Sequence, residues 1–313
     1  MDGALQLIIL PMKIFLTGAS GYIGGSIAAA LIAAGHSVKG LVRSRERAAA
    51  VRERSIEPVI GTLGDAPLLA WLAREADAVI NTANSDDRGA VEAMLPALAG
   101  SKKPFLHTSG SSIVGDMARG ERSEKIYEDA TPFEPLPGKA ARVAIDRLIL
   151  DSAKKGVRAV VLCPTMIYGR GHGVHADSVQ VPRLIALARK HGAGRHVGRG
   201  ENIWSNVHID DLVPLYLLAL EKAPAGAFYY AENGENSYRE IGEAISRMLG
   251  FGGRTQPMTI DEAVTEFGET AAQFSYASNS RVRARRARRE LGWTPKAGTL
   301  LDEIERGCYL SGP

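Results

Sequence analysis

From Lys13 onward the apolar positions change period repeatedly along the chain. The run KIFLT, Lys13–Thr17, is short and rich in strand formers, and beyond it Ile23, Ile27, Leu31 and Ala34 recur at spacings that place them on one face of a helix. Gly35, directly after that face, is the expected stop. Ser37–Val42, Pro58–Ile60, Ala78–Thr82, Phe105–Ser109 and Ala159–Cys163 predict strands two to six, with helices such as Pro67–Ala73 and Val143–Ala153 between them. This alternation predicts βαβ units and hence an α/β fold, a doubly wound parallel sheet with helices on both faces. After Pro164 the rhythm loosens into glycine- and histidine-rich loops, GRGHG and HGAGRHVGRG, which predicts a smaller C-terminal lobe completing a cleft.

Between the first strand and its helix stands TGASGYIG, Thr17–Gly24. A chain crossing from strand to helix so quickly uses Gly18 for the tight turn, Gly21 to let backbone approach a pyrophosphate, and Gly24 for close packing of the helix. The helix start, with Ser20, Tyr22 and Ile23 among these glycines, offers free N–H groups and the positive end of its dipole to phosphates. Because strand and helix both flank the motif, the segment is read as a dinucleotide site in a Rossmann-type fold. At the end of strand two, LVRSRER sets Arg43, followed by Ser44, where an adenosine ribose would lie. A carboxylate there would hold a free 2′-hydroxyl, whereas arginine accommodates a 2′-phosphate, so NADP is the expected cofactor and NAD the second choice. Arg45 and Arg47 either add to that charge or lie on the solvated face of the next helix. The division that results is an N-terminal extension at 1–11, a NAD(P)-binding domain at 12–165 and a mainly substrate-binding lobe at 166–313. A segment near 203–231 is expected to return to the first domain.

The 313 residues are 45% hydrophobic and 23% charged, with a mean hydropathy of −0.07, which describes a globular chain and excludes a disordered or fibrous one. Against 38 basic side chains stand 35 acidic ones, a net charge of +3 that is too small to argue for nucleic acid. The arginine-rich stretch Ser280–Trp293 is interleaved with Val282, Ala284, Ala287 and Leu291 and reads as a helix with a solvated face. No apolar run approaches a membrane span, and the eleven residues ahead of Met12 lack the basic lead of a signal peptide and are expected to carry no chemistry. The two cysteines, Cys163 and Cys308, are too few for a disulfide framework and fit a reducing cytoplasm. His172, His175 and Asp177 read as a polar loop at the cleft rim, so no metal is expected.

The glycine-rich turn, GTLGD (Gly61–Asp65), PTMIYG (Pro164–Gly169), VHIDDL (Val207–Leu212) and LGWTP (Leu291–Pro295) together resemble the extended short-chain dehydrogenase/reductases, the NAD(P)-dependent epimerase/dehydratase group. The resemblance spans nearly the whole chain from Met12. It implies Asp65 near the adenine, Ala83 and Asn84 near the ribose and pyrophosphate, and Pro164 and Ile167 near the nicotinamide. It also implies a possible homodimer formed through helices of the cofactor domain.

Redox members of that group use a tyrosine, a lysine four residues later and a serine or threonine beyond strand five. The lysine is needed because a phenol with a pKa of about 10 is almost fully protonated at neutral pH. Here, with Asp146 on the acidic position that usually follows, the tyrosine position falls on Gly138, the lysine position on Arg142 and the hydroxyl position on Gly110. Tyr127 is out of register, since Thr131 and not lysine follows it by four. The chain therefore resembles an atypical branch without the usual acid/base residues. Ser111, Tyr168 and His208 are the candidate catalytic substitutes, and Ser112, Arg142, Trp204 and Asn206 the candidate substrate contacts. Each has a structural alternative: turn residues for the serines, packing for Tyr168 and Trp204, an Asp146 partner for Arg142 and an Asp211 partner for His208. The expected function is that of an NADP-preferring oxidoreductase or epimerase/dehydratase-like enzyme for a small carbonyl, alcohol or sugar-type substrate. The alternative is a non-catalytic NADP-binding redox sensor.

Overall fold

The computed structural model describes residues 11–310, so residues 1–10 of the expected N-terminal extension lie outside the described residues. The strands, in chain order, begin with β1 (Lys13–Thr17), β2 (Ser37–Val42), β3 (Glu57–Ile60), β4 (Ala78–Asn81) and β5 (Pro104–Thr108). They continue with β6 (Tyr127–Glu128), β7 (Arg158–Pro164), β8 (Met166–Tyr168), β9 (Gly194–Val197) and β10 (Ile203–His208). The last four are β11 (Ala227–Ala231), β12 (Glu235–Ser237), β13 (Thr255–Met258) and β14 (Val282–Arg283). Seven of them form one parallel sheet in the order β11-β7-β5-β4-β1-β2-β3. The order reverses between β4 and β1, and a crevice opens beyond the carboxyl ends of strands at such a point.

Strands buried on both faces send alternate side chains to opposite cores. Ile14 and Leu16 of β1 pack with α1 (Tyr22–Ala33), while Phe15 between them packs with α3 (Ala66–Glu75) and α4 (Arg88–Leu98). Between those helices in sequence lies α2 (Arg45–Arg52), and after them come α5 (Pro137–Asp151), α6 (Gln180–His191) and α7 (Ile209–Lys222). α7 covers the same face as α1, with Tyr216 buried against that core, and α5 lies on the face of α3 and α4. A separate apolar core, including Trp204, Tyr238 and Ile241, fills the C-terminal part of the chain.

The six strands read from sequence are all present, each bounded within about a residue. The helix expected at Val143–Ala153 instead starts at Pro137, because proline needs no N–H partner in the first turn of a helix. β11 is a seventh strand of the main sheet, paired with β7 at its edge. The helix expected across Ser280–Trp293 is confined to Arg285–Leu291. Ahead of it the backbone is extended, Ser280 bridging Trp204 and β14 pairing with β6. Its arginines are not a free basic face: Arg281 is buried between Glu124 and Glu235, and Arg288 meets Glu232. The Tyr127 segment, read as a loop, forms β6 in that pairing. Among the described residues, no helix is long and apolar enough to cross a membrane.

Candidate functional site

The chain leaves β1 through Gly18, whose φ of +75° is a left-handed conformation that favours glycine. Its carbonyl accepts the Gly21 N–H at 2.8 Å and closes the turn. A Cβ on Gly18 would lie 2.8 Å from Thr82 Oγ1, and one on Gly24 would lie 2.3 Å from the Gly18 carbonyl oxygen. The turn, the first helical residues and the residue after β4 are thus pressed together with no room for a methyl group. Gly21 caps α1 without any side-chain hydrogen bond, so the amides of the helix start remain available to an anion.

Above this turn lies a cavity of about 590 Å³. Gly18, Ser20, Gly21, Tyr22, Ile23 and Gly24 form one wall, and Arg43, Ala83, Asn84 and Ile167, all expected at the cofactor, also line it. The cavity runs from Arg43 and Gly61, past the glycine turn and Asn84, to Thr165, Ile167 and Ser178. No carboxylate is among its lining residues, whose charges are Arg43 and Arg47. Arg47 Nη1 donates to Ser20 Oγ at 3.1 Å, which ties the second guanidinium to the glycine-rich turn. Gly21 and the bare helix start fit a diphosphate, and the two arginines fit a further phosphate at the adenosine end.

Three residues expected at the cofactor have structural roles. The Ser44 hydroxyl caps α2 by accepting the Arg47 N–H, and the Asp65 carboxylate caps α3 by accepting the Leu68 N–H. Neither is among the cavity-lining residues, and Thr62 and Leu63 stand at the wall where Asp65 was expected. Pro164 ends β7, paired with Ala231 inside the sheet. Sequence reasoning missed Thr82, Thr165 and the segment Ser178–Gln180 leading into α6, which come from strand ends and a distant segment without a local signature.

The candidate catalytic side chains are not brought together. Tyr168 is fully buried in β8, its hydroxyl donates to the Gly298 carbonyl at 2.7 Å, and burial raises its pKa above that of a free phenol. His208 caps α7, its Nδ1 accepting the Asp210 N–H at 3.0 Å while its ring packs edge-on against Tyr168. The Asp211 partner expected for it instead accepts the N–H groups of Lys296 and Ala297. Ser111 is buried, and its hydroxyl receives a hydrogen bond from Ser280 Oγ. Trp204 is a core residue whose Nε1 donates to the Ser278 carbonyl, and Asn206 is buried with its amide on Asn236. Replacing Tyr168 by phenylalanine is expected to leave coenzyme affinity unchanged and to cost about 1 kcal/mol of stability for the lost hydrogen bond. A large loss of coenzyme affinity in calorimetry, with little change in melting, would reverse that assignment.

Around Arg142 the positions expected to lack the usual serine and tyrosine are closely packed. Its guanidinium makes a bidentate pair with Asp86, through Nε to Oδ1 at 2.8 Å and Nη2 to Oδ2, and its Nη1 donates to Ser112 Oγ at 3.3 Å. Asp86, not Asp146, is therefore its partner. A Cβ on Gly110 would meet Arg142 Nη1 at 3.3 Å, and one on Gly138 would meet the Phe274 ring at 2.6 Å. A side chain at Gly138 would overlap the Phe274 ring, and one at Gly110 would press on the Arg142 guanidinium. Asp86 donates its own N–H to Asn84 Oδ1, which joins this cluster to the cavity wall.

Behind it runs a buried polar chain: Thr17 donates to Asn81, Asn81 bonds His107, and Ser109 donates to Asp146. His107 Nε2 and Asp146 Oδ1 face each other at 3.9 Å without hydrogen-bond partners. Burial, followed by the charge of Arg142, lowers His107 to about 4. Burial raises Asp146 to about 7 against the opposing effects of Ser109 and Arg142.

Residues 14–230 match the family model described as the NAD dependent epimerase/dehydratase family. An oxidase, ucsJ, from Acremonium sp is 31% identical over 94% of this chain and 95% of its own length. A 4-hydroxy-2-methyl-3-oxo-4-farnesyl-3,4-dihydroquinoline-1-oxide ketoreductase from Stigmatella aurantiaca is 29% identical over 71% of this chain and 69% of its own length. The crystal structure of the dTDP-glucose 4,6-dehydratase DesIV from Streptomyces venezuelae, with NAD bound, superposes with a TM-score of 0.74. It covers 95% of each chain at 20% identity and shares the fold.

Proposed function

The chain belongs to the NAD dependent epimerase/dehydratase family, and on that premise we propose that it is an NADP-dependent oxidoreductase acting on a small carbonyl compound or the corresponding alcohol. The observation that carries the coenzyme choice is the charge of the cavity: two arginines at the adenosine end and no carboxylate on its walls. A ribose with a free 2′-hydroxyl would find no acidic acceptor there, whereas a 2′-phosphate would find Arg43 and, in the first turn of α2, Arg47. The amides from Ser20 to Gly24 would hold the diphosphate. Thr165, Ile167 and Ser178 would enclose the nicotinamide, which supplies hydride chemistry when bound. The ketoreductase and oxidase names of two relatives support a carbonyl or alcohol substrate.

Removing Arg43 as alanine is expected to weaken NADP by about 10- to 100-fold, the worth of one or two charge-assisted hydrogen bonds, and to leave NAD nearly unchanged. Replacing Arg47 as well should deepen the difference. Isothermal calorimetry with both coenzymes measures it, and equal losses for the two would refute the NADP assignment. A second reading, a sensor that binds NADP without turning it over, is favoured by the Phe274 and Arg142 side chains occupying the usual serine and tyrosine space. NADPH oxidation against a panel of aldehydes, ketones and quinones separates the two. Tight binding with no turnover of any class supports the sensor.

A further inference from the structure

Tyr22 is the first residue of α1 and lines the cavity, yet its side chain is engaged far along the chain. Its hydroxyl donates to two backbone carbonyls where β8 ends, that of Tyr168 at 3.0 Å and that of Gly169 at 2.9 Å. Burial raises the pKa of this phenol above its ordinary value, so the group stays a donor. From Gly169 the chain lies down on the first turns of α1. A Cβ on Gly171 would stand 2.6 Å from Tyr22 Cδ2, and one on Gly173 would stand 2.6 Å from Gly25 Cα and 3.2 Å from the Gly21 carbonyl oxygen. Between these glycines the His172 N–H donates to Ser26 Oγ at 3.0 Å, and Arg54 Nη1 donates to the His172 carbonyl at 2.9 Å. The chain then doubles back, with the Gly171 N–H on the Ala176 carbonyl and Arg170 paired with Asp177. The Tyr309 hydroxyl joins both ends, accepting the Gly169 N–H and bonding Ser178 Oγ, each at 3.1 Å. Beyond that point Ser178, Val179 and Gln180 form part of the cavity wall, and Val179 is an apolar side chain left 62% exposed there. The start of α1 and this segment bound the same cavity, so a coenzyme whose diphosphate sat on the α1 amides would lie against both.

We propose that Gly169–Val179 is a clasp on the coenzyme and that Tyr22 is the positioning residue that fastens it, a proposal that rests on the cavity being a nicotinamide coenzyme site. Segments that close on a site set the rates of entry and release. The hydroxyl of Tyr22 bonds protein carbonyls and not the coenzyme, so it holds the clasp alike before and after binding. Loosening it speeds entry and exit together and leaves their ratio, the affinity, nearly unchanged. A side chain that contacted the coenzyme would instead change the exit rate and the affinity together. Val179 is the part of the clasp that a bound coenzyme covers.

The test uses the full chain in stopped-flow mixing with NADPH, followed by nicotinamide fluorescence. Tyr22→Phe keeps the ring and removes both hydrogen bonds; association and dissociation rate constants should each rise by at least about fivefold while Kd stays within about twofold of wild type. Gly173→Ala, whose methyl would lift the segment from Gly25, should act in the same direction with Tyr22 intact. Tyr168→Phe loses a hydroxyl bond of the same kind to Gly298, outside the clasp, and should change neither rate. A readout apart from binding rates is tryptic cleavage after Arg170, an exposed residue of the clasp. Saturating NADPH should slow it in the wild type, and without coenzyme Tyr22→Phe should be cut faster than the wild type. Unchanged rates in Tyr22→Phe, or faster dissociation with weakened affinity and unchanged association, overturns the proposal, as does cleavage after Arg170 that is indifferent to NADPH. Failure of the wild type to bind NADPH overturns the coenzyme reading, and the proposal with it.

Discussion

Replacing Gly24 by alanine is expected to reduce affinity for NADP and NAD alike by at least about 100-fold and to destabilise the fold by about 3 kcal/mol. The added methyl would stand 2.3 Å from the Gly18 carbonyl oxygen, 2.8 Å from the Gly18 carbonyl carbon and 2.6 Å from Thr82 Oγ1. Two of these three atoms are backbone, so no side-chain rotation relieves the overlap. The turn must open, and with it the alignment of the amides that face the diphosphate. Gly35 is the control: its φ of +86° is strained for alanine, but its missing Cβ meets nothing within 4 Å, so Gly35→Ala should cost stability and spare binding. Calorimetry and urea unfolding of the two variants together check the expectation, which fails if Gly24→Ala binds either coenzyme normally.

The second large effect concerns the pH dependence of stability. Between about pH 4 and 6.5 native His107 stays neutral while the unfolded histidine is protonated, so its contribution to stability rises with pH across that window. Asp146 works in the opposite sense: from 3.8 to about 7 the native group holds a proton that the unfolded one has lost, so its contribution falls as pH rises. Over the shared range the two slopes oppose each other, and wild-type stability should be nearly flat. Asp146→Asn keeps an acceptor for Ser109 and removes one slope. The variant should therefore gain about 3 kcal/mol on going from pH 4 to 6.5, relative to the wild type over the same interval. Urea unfolding at half-unit steps measures this directly. Parallel curves for the two proteins would mean that the buried pair does not titrate as described.

The glycine turn and the place of Arg43 at the cavity were legible because they are local: the backbone path of the turn is written within eight residues. The βαβ rhythm was legible for a similar reason, since each period is confined to one element. The capping roles of Ser44 and Asp65 were not legible because a side-chain acceptor just ahead of a helix looks the same in sequence whether it receives a ligand or the helix's own N–H. The structural bonds of Tyr168, His208, Trp204 and Asn206 were illegible for another reason. A polar residue reads as functional when its partner cannot be seen, and the partners of Tyr168 and Trp204, the Gly298 and Ser278 carbonyls, lie 130 and 74 residues away. Arg47 was read as open between two roles, and only its bond to Ser20 decides which way it turns. The filling of the Gly138 space by Phe274 had no sequence signal, because two surfaces so far apart in the chain announce nothing about their fit.

Phe274 also separates two kinds of heritable change. The arginines and glycines proposed to hold the coenzyme all lie before residue 50, whereas the corner beside Lys139 and Arg142 is completed by a ring from the last forty residues. On the proposed function, substitution in the carboxy-terminal third would remodel which molecules are accepted without disturbing the glycine turn. Divergent descendants of one ancestor could exchange reactions while inheriting the same electron carrier.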